Sequence, residues 1–190
     1  RIRDDFNAPR LDNGVKASST AETYGEKEYK HGLIFSGIYN AKTDVNNLNQ
    51  FIKAIGIVKD LNPEYGSIQK LFTRDTNVLA FCENKVLKIL SNKDALFNAD
   101  GNTNVTSNKA VLGSAVPFLG DHGISRNAES FAEDEFRCYF VDRDRGAVCR
   151  LSRDGITAIS SIGMSDYFSD ELRSAVACVG SFNKNKGEHN

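Results

Sequence analysis

Phe136-Arg137-Cys138-Tyr139-Phe140-Val141 runs into Asp142-Arg143-Asp144-Arg145-Gly146 and out again through Ala147-Val148-Cys149-Arg150-Leu151-Ser152. Two runs rich in aromatic and β-branched residues thus flank a polar bend closed by glycine. That is the composition of a hairpin whose glycine takes up left-handed backbone after the turn. Arg153-Asp154-Gly155 makes a further bend before Ile156 to Ser160. The spacing predicts a three-stranded antiparallel meander from Phe136 to Ser160. If Phe140 pairs with Ala147, Cys138 lies opposite Cys149 and Phe136 opposite Leu151. That register collects Phe136, Cys138, Phe140, Ala147, Cys149 and Leu151 on one face, as a buried sheet face requires.

The same bend recurs as Asn183-Lys184-Asn185-Lys186-Gly187 after the apolar stretch Ala175 to Phe182, with 41 residues separating Gly146 from Gly187. A four-stranded propeller blade takes about 40–45 residues. Asn190, the last residue, falls inside the second hairpin. The pattern therefore predicts an all-β chain, a partial β-propeller of antiparallel meander blades cut from a longer repeat protein. One short helix is expected within it. Ser165 is placed as its N-cap, Asp166 at the positive end of its dipole, and Phe168, Leu172, Ala175 and Val176 on one face.

Upstream, residues 1–31 read as an extended N-terminal arm, with Pro9, Asp12-Asn13-Gly14 and a charged stretch from Glu22 to Lys30. Residues 32–190 read as the incomplete propeller-like domain. Leu33 to Tyr39 and Gln50 to Val58 are apolar runs. Ile68 to Phe72, Val78 to Cys82 and Val86 to Leu90 follow as short strands, the last two joined by a tight hairpin at Glu83-Asn84-Lys85. Asn92 to Lys109 is a polar excursion, Ala110 to Leu119 strand-like, and Gly120 to Glu129 a loop. An unfinished propeller leaves an open strand edge, so the isolated chain is expected to self-associate.

A hydrophobic fraction of 40% and a charged fraction of 26% fit a soluble globular protein. The net charge of −1 gives no electrostatic case for a nucleic-acid sequence or an anionic membrane as partner. No run reaches the roughly 18 apolar residues of a membrane span. Cys82, Cys138, Cys149 and Cys178 form no CxxC and sit in apolar runs, so free, reduced core thiols are expected.

Chemistry-bearing motifs are few. His31, His122 and His189 are far apart in sequence and lack metal-ligand spacing. No nucleophile elbow, P-loop or H-E-x-x-H occurs. Asn98-Ala99-Asp100-Gly101-Asn102-Thr103-Asn104 alternates oxygen ligands as calcium loops do. Its glycine, however, is at the fourth position and no glutamate follows at the twelfth, so a plain turn is the better reading. Asp142, Asp144 and Asp154 alternate with Arg143, Arg145 and Arg153 and are expected to be exposed, mutually compensating charges. Asn104-Val105-Thr106 matches a glycosylation sequon. No catalytic, cofactor or metal residue is assigned, and no enzymatic activity is expected.

Four phrases resemble the virion structural proteins of tailed bacteriophages: Asn62-Pro63-Glu64-Tyr65-Gly66-Ser67-Ile68-Gln69-Lys70-Leu71-Phe72, Phe81 to Leu90, Asn92-Lys93-Asp94-Ala95-Leu96-Phe97-Asn98, and Tyr139 to Gly146. The group is the tail stabilisation or nozzle class, whose members build β-propellers below the portal. The resemblance runs from about Gly32 onward. It implies a non-enzymatic wall component of the DNA-ejection channel, in a ring with its own copies and other tail proteins. Its location would be the virion, assembled in the host bacterial cytoplasm. The near-neutral charge suits a wall that must not hold passing DNA tightly. The alternative is a carbohydrate- or receptor-binding propeller module, to which the lack of Trp is unfavourable and the six Tyr are not.

Overall fold

The computed structural model describes residues 28–51, 56–97, 103–183 and 188–189. Among these the chain is mostly β, in several antiparallel sheets, with a single α-helix. Most of the predicted N-terminal arm, and residues 98–102 of the calcium-loop-like stretch expected to be a plain turn, lie outside the described residues. No helix among the described residues is long and apolar enough to cross a membrane. The chain divides into two compact units, one up to Asp60 and one from Leu61.

In the first unit, β1 (Gly32–Ile34), β2 (Tyr39–Asn40), β3 (Val45–Asn46) and β4 (Val58–Asp60) form two small antiparallel pairs, β1 with β4 and β2 with β3. The single strand expected from Leu33 to Tyr39 is interrupted. Phe35 N–H donates to the Ile57 carbonyl and Gly37 N–H to the Gln50 carbonyl. A Cβ on Gly37 would lie 2.5 Å from that of Asn47, so the chain passes too closely there for any larger residue.

The second unit opens with a four-stranded meander of β5 (Ile68–Arg74), β6 (Asn77–Cys82), β7 (Val86–Phe97) and β8 (Thr103–Pro117), paired in that order. The expected polar excursion from Asn92 to Lys109 is largely strand. Here β7 and β8 run on past their neighbours, pairing Lys93 with Ser107 and Phe97 with Thr103. A second four-stranded meander follows: β9 (Ala132–Glu133), β10 (Cys138–Asp142), β11 (Ala147–Ser152) and β12 (Gly155–Ala158). The helix α1 (Ser165–Ser174) comes next, and then β13 (Phe182–Asn183) pairs with β14 (Glu188–His189). Met164 occupies the cap position of α1 and Ser165 is its first helical residue, one position off the expectation. Of its predicted face, Phe168, Leu172 and Ala175 are half-buried while Val176 is exposed.

The two meanders face one another over one core. Leu79, Phe81 and Val86 come from the first, Cys138, Phe140, Ala147, Cys149 and Leu151 from the second, and Ile124 from the connecting segment. Phe81 and Phe140 meet edge to face, with centroids 5.4 Å apart at 70°, a geometry worth about 0.5–1.5 kcal/mol beyond area burial. Ala80, Cys82, Leu87 and Ile89, on the other face of the first sheet, are buried as well. Strand alternation turns Tyr139 to the opposite side of the second sheet from Phe140. There its ring stacks on Phe182 of β13, with centroids 6.0 Å apart and planes 8° apart. The second sheet therefore packs on the first sheet through one face and meets β13 at Tyr139 on the other.

The β10–β11 register differs from the expected one by two residues. Asp142 pairs with Ala147, Phe140 with Cys149 and Cys138 with Leu151. An even shift preserves the choice of face, so the buried set survives except at its end. Phe136 leaves it and is 71% exposed, while Asp142 enters at 0%. The reason is local. The Asp142 carboxylate accepts the Arg145 N–H at 3.2 Å, and Gly146 N–H donates to the Arg143 carbonyl at 3.1 Å. The bend therefore closes within residues 143–146. Gly146 has φ +65°, and a Cβ on it would lie 2.7 Å from the Ser169 Cα of α1, which seats the helix on the bend.

Candidate functional site

Turns of an antiparallel meander fall alternately at its two ends, so the β6–β7 and β10–β11 bends share one end of the unit. The segment from β8 to β9 crosses between them. Ile124 N–H donates to the Cys82 carbonyl and Ser125 N–H to the Glu83 carbonyl, each at 3.0 Å. A Cβ on Gly123 would stand 2.1 Å from the Glu83 carbonyl oxygen, so this approach admits only glycine. Ser125 has φ +53°, a left-handed conformation uncommon outside glycine.

Asp142 reaches the same segment from the second sheet. Its Oδ1 accepts from the Ser125 hydroxyl at 3.2 Å and from Arg145 N–H at 3.2 Å. Its Oδ2 accepts from Gly123 N–H at 3.3 Å and Arg145 Nη1 at 3.2 Å, and lies 3.3 Å from His122 Nδ1. Ser125 Oγ in turn accepts from Asp144 N–H at 3.1 Å. An isolated buried carboxylate would cost several kcal/mol in desolvation. Here Arg145 supplies the opposite charge and the other donors occupy the remaining lone pairs.

Glu83 is the counterpart on the first sheet. It accepts from the Ser67 hydroxyl and from Ser67 N–H at 3.3 Å, and pairs with Arg126 Nε at 3.3 Å. The Ser67 hydroxyl, with Arg126 adding to it, holds this carboxyl below its ordinary range. Asn127, 5% exposed, brackets Cys178. Its Nδ2 donates to the Cys178 carbonyl at 3.0 Å and its Oδ1 accepts the Cys178 N–H at 3.3 Å. Gly180 N–H donates to the Glu129 carbonyl at 3.0 Å, and a Cβ on Gly180 would lie 2.2 Å from the Ser130 carbonyl oxygen. Residues 122–130 thus hold the first sheet, the second sheet and the chain returning toward β13.

His122, Ser125 and Asp142 are the residue types of a hydrolytic triad, but their order is wrong for one. The carboxylate lies between the other two, and the serine hydroxyl donates to it instead of to the imidazole. Ser125 is 2% exposed and Asp142 0%, out of reach of a substrate. The arrangement binds two sheets together, with its serine and carboxylate buried and bonded to one another. The three buried thiols are equally guarded. Burial, with Asp142 adding to it, pushes Cys149 up to about 12. Burial likewise pushes Cys82 and Cys138 up to about 11, so little thiolate forms near neutrality. All four cysteines are free; Cys178 is half-buried in the loop before β13, outside any strand. Among the described residues no three of His, Cys, Asp and Glu cluster as a metal site would need.

Asp144 and Asp154 are exposed as the sequence suggested, and Asp142 is not. The parity of the strand carried the missing signal: Asp142 follows Cys138 and Phe140 at steps of two, which points it inward. His122 and Gly123 remain loop residues, yet the glycine is required by packing and the imidazole lies on Asp142. Compared with known proteins, the chain matches no family model, and no curated protein shows significant similarity to it.

Proposed function

We propose that this chain supplies consecutive blades of an incomplete β-propeller to a non-enzymatic structural assembly, the nozzle or stabiliser ring of a bacteriophage tail. The observation that carries the blade reading is the stacking order. The two four-stranded sheets follow one another face to face over one core, and the β13–β14 pair, offset by 41 residues in sequence from β10–β11, meets the second sheet where Tyr139 stacks on Phe182. Propellers stack four-stranded sheets in this manner around an axis. The polar groups between the sheets favour a structural role, since they are consumed in joining them. Tail placement is supported by the phrases from Asn62 to Phe72, Phe81 to Leu90 and Tyr139 to Gly146, and by a net charge of −1 that suits a DNA conduit. The partners would be copies of the chain in a ring and other tail proteins. Electron microscopy of the parent virion tests this: the chain is expected to account for density in the tail wall, and a tail fully built from other chains overturns the assignment.

A further inference from the structure

At the end of the second unit remote from Asp142, the β5–β6, β9–β10 and β11–β12 turns enclose a cleft of about 460 Å³. Arg74 fixes its floor, donating from Nη1 to the Ser152 carbonyl at 3.3 Å and from Nη2 to the Phe136 carbonyl at 3.2 Å. Around it stand Asp75, Glu135, Arg137, Arg153 and Asp154. Opposite charges are present, yet none of these five side chains forms an ion pair or a hydrogen bond within the described residues. Phe136, the ring displaced from the core by the register of β10, lines the same cleft and is 71% exposed.

We propose that this cleft is a saccharide-binding site. Interleaved charges of both signs cancel the long-range attraction that would select an ion. Sugar hydroxyls donate and accept, so one ring can satisfy a guanidinium and a carboxylate together through charge-assisted hydrogen bonds. The apolar C–H face of the same ring can lie on Phe136, as aromatic side chains with an exposed face favour. The volume lies within the range of small-molecule sites. This inference does not depend on the tail assignment, because it rests on the turn residues alone.

The test is a glycan array probed with the chain and with Phe136→Ala and Arg153→Ala variants, their folds checked by circular dichroism. The chain is expected to retain at least one glycan class. Phe136→Ala should weaken that binding by about tenfold, the loss of one aromatic contact, and Arg153→Ala should weaken it as well. Absence of any retained glycan overturns the proposal, as does retention equal in both variants. A zwitterionic tripeptide of lysine, glycine and glutamate serves as the competing probe. Its binding in place of glycans, lost in the same variants, would reassign the cleft to peptides and overturn the proposal too.

Discussion

Asp142 and Asn183 stand 41 residues apart in sequence and hold the same place in two hairpins: Asp142 pairs with Ala147 across residues 143–146, and Asn183 with Glu188 across residues 184–187. The repeat therefore extends beyond composition to hairpin register. The two bends differ in charge, since Asp142 and Asp144 stand where the second has Asn183 and Asn185, and the Asp142 carboxylate binds the segment that crosses to the preceding sheet. Replacing Asp142 by asparagine keeps the shape and removes the charge that Arg145 faces. Asp142→Asn is expected to cost about 2–4 kcal/mol, the range for breaking a buried charge pair and its hydrogen bonds. Urea unfolding checks it; a loss under about 0.5 kcal/mol, the level of an ordinary surface change, would remove Asp142 from the structural account.

Gly123 and Gly155 give a matched comparison. Gly123→Ala forces a methyl onto the Glu83 backbone, 2.1 Å away, whereas a Cβ on Gly155 meets nothing within 4 Å although its φ is +113°. Gly123→Ala is expected to cost about 3 kcal/mol or more through displacement of the segment, and Gly155→Ala about 1 kcal/mol through backbone strain alone. Parallel thermal melts of the two variants rank them directly.

Acid should loosen the first sheet at Glu83. Its carboxyl is held below the ordinary value of 4.5 in the folded chain, chiefly by Ser67. The folded state then binds fewer protons than the unfolded one, so stability rises with pH through that interval. The Glu83 contribution is present above about pH 4.5 and is lost as pH falls through the folded-state value. Comparing the stability–pH curves of the parent and Glu83→Gln is the check. The two curves should stand apart above about pH 4.5 and converge as pH falls through the lowered folded-state value, and parallel curves would refute the assignment.

Thiol reactivity should distinguish the core cysteines from Cys178. Cys82, Cys138 and Cys149 are buried and hard to ionise, while Cys178 is half-buried in a loop. An aromatic disulfide reagent at pH 8 is expected to modify about one thiol per folded chain rapidly, and the others only on unfolding. Fast modification of three or more in the folded chain would contradict the packing described.

The stack of Tyr139 on Phe182 should be measurable as a coupling. A double-mutant cycle with Tyr139→Ala and Phe182→Ala is expected to give about 0.5–1.5 kcal/mol. Additive effects would mean the hairpin does not rest on the second sheet in solution.

The hairpins were legible because period-two alternation and glycine-closed bends are local signals. The register was legible only to within two residues. Asp142 reads as a loop charge until Gly123, Ser125 and His122 arrive from about 20 residues upstream, and nothing local announces that meeting. The extension of β7 and β8 was hidden for a different reason: residues 91–97 pair only with β8, where Leu96 is 53% and Val105 57% exposed. Without a buried face there is no alternation to read. The strand β9 is two residues long and carries no pattern of its own. The charged cleft was invisible because its walls are three turns brought together only by the folding of two sheets.

Residues 122–130 also determine how this unit can come apart. They bond to the β6–β7 bend, to Asp142 and to the returning chain at Cys178 and Gly180. Melting of either sheet strips contacts from its neighbour, so unfolding of the second unit should proceed as one concerted transition despite its repeating architecture.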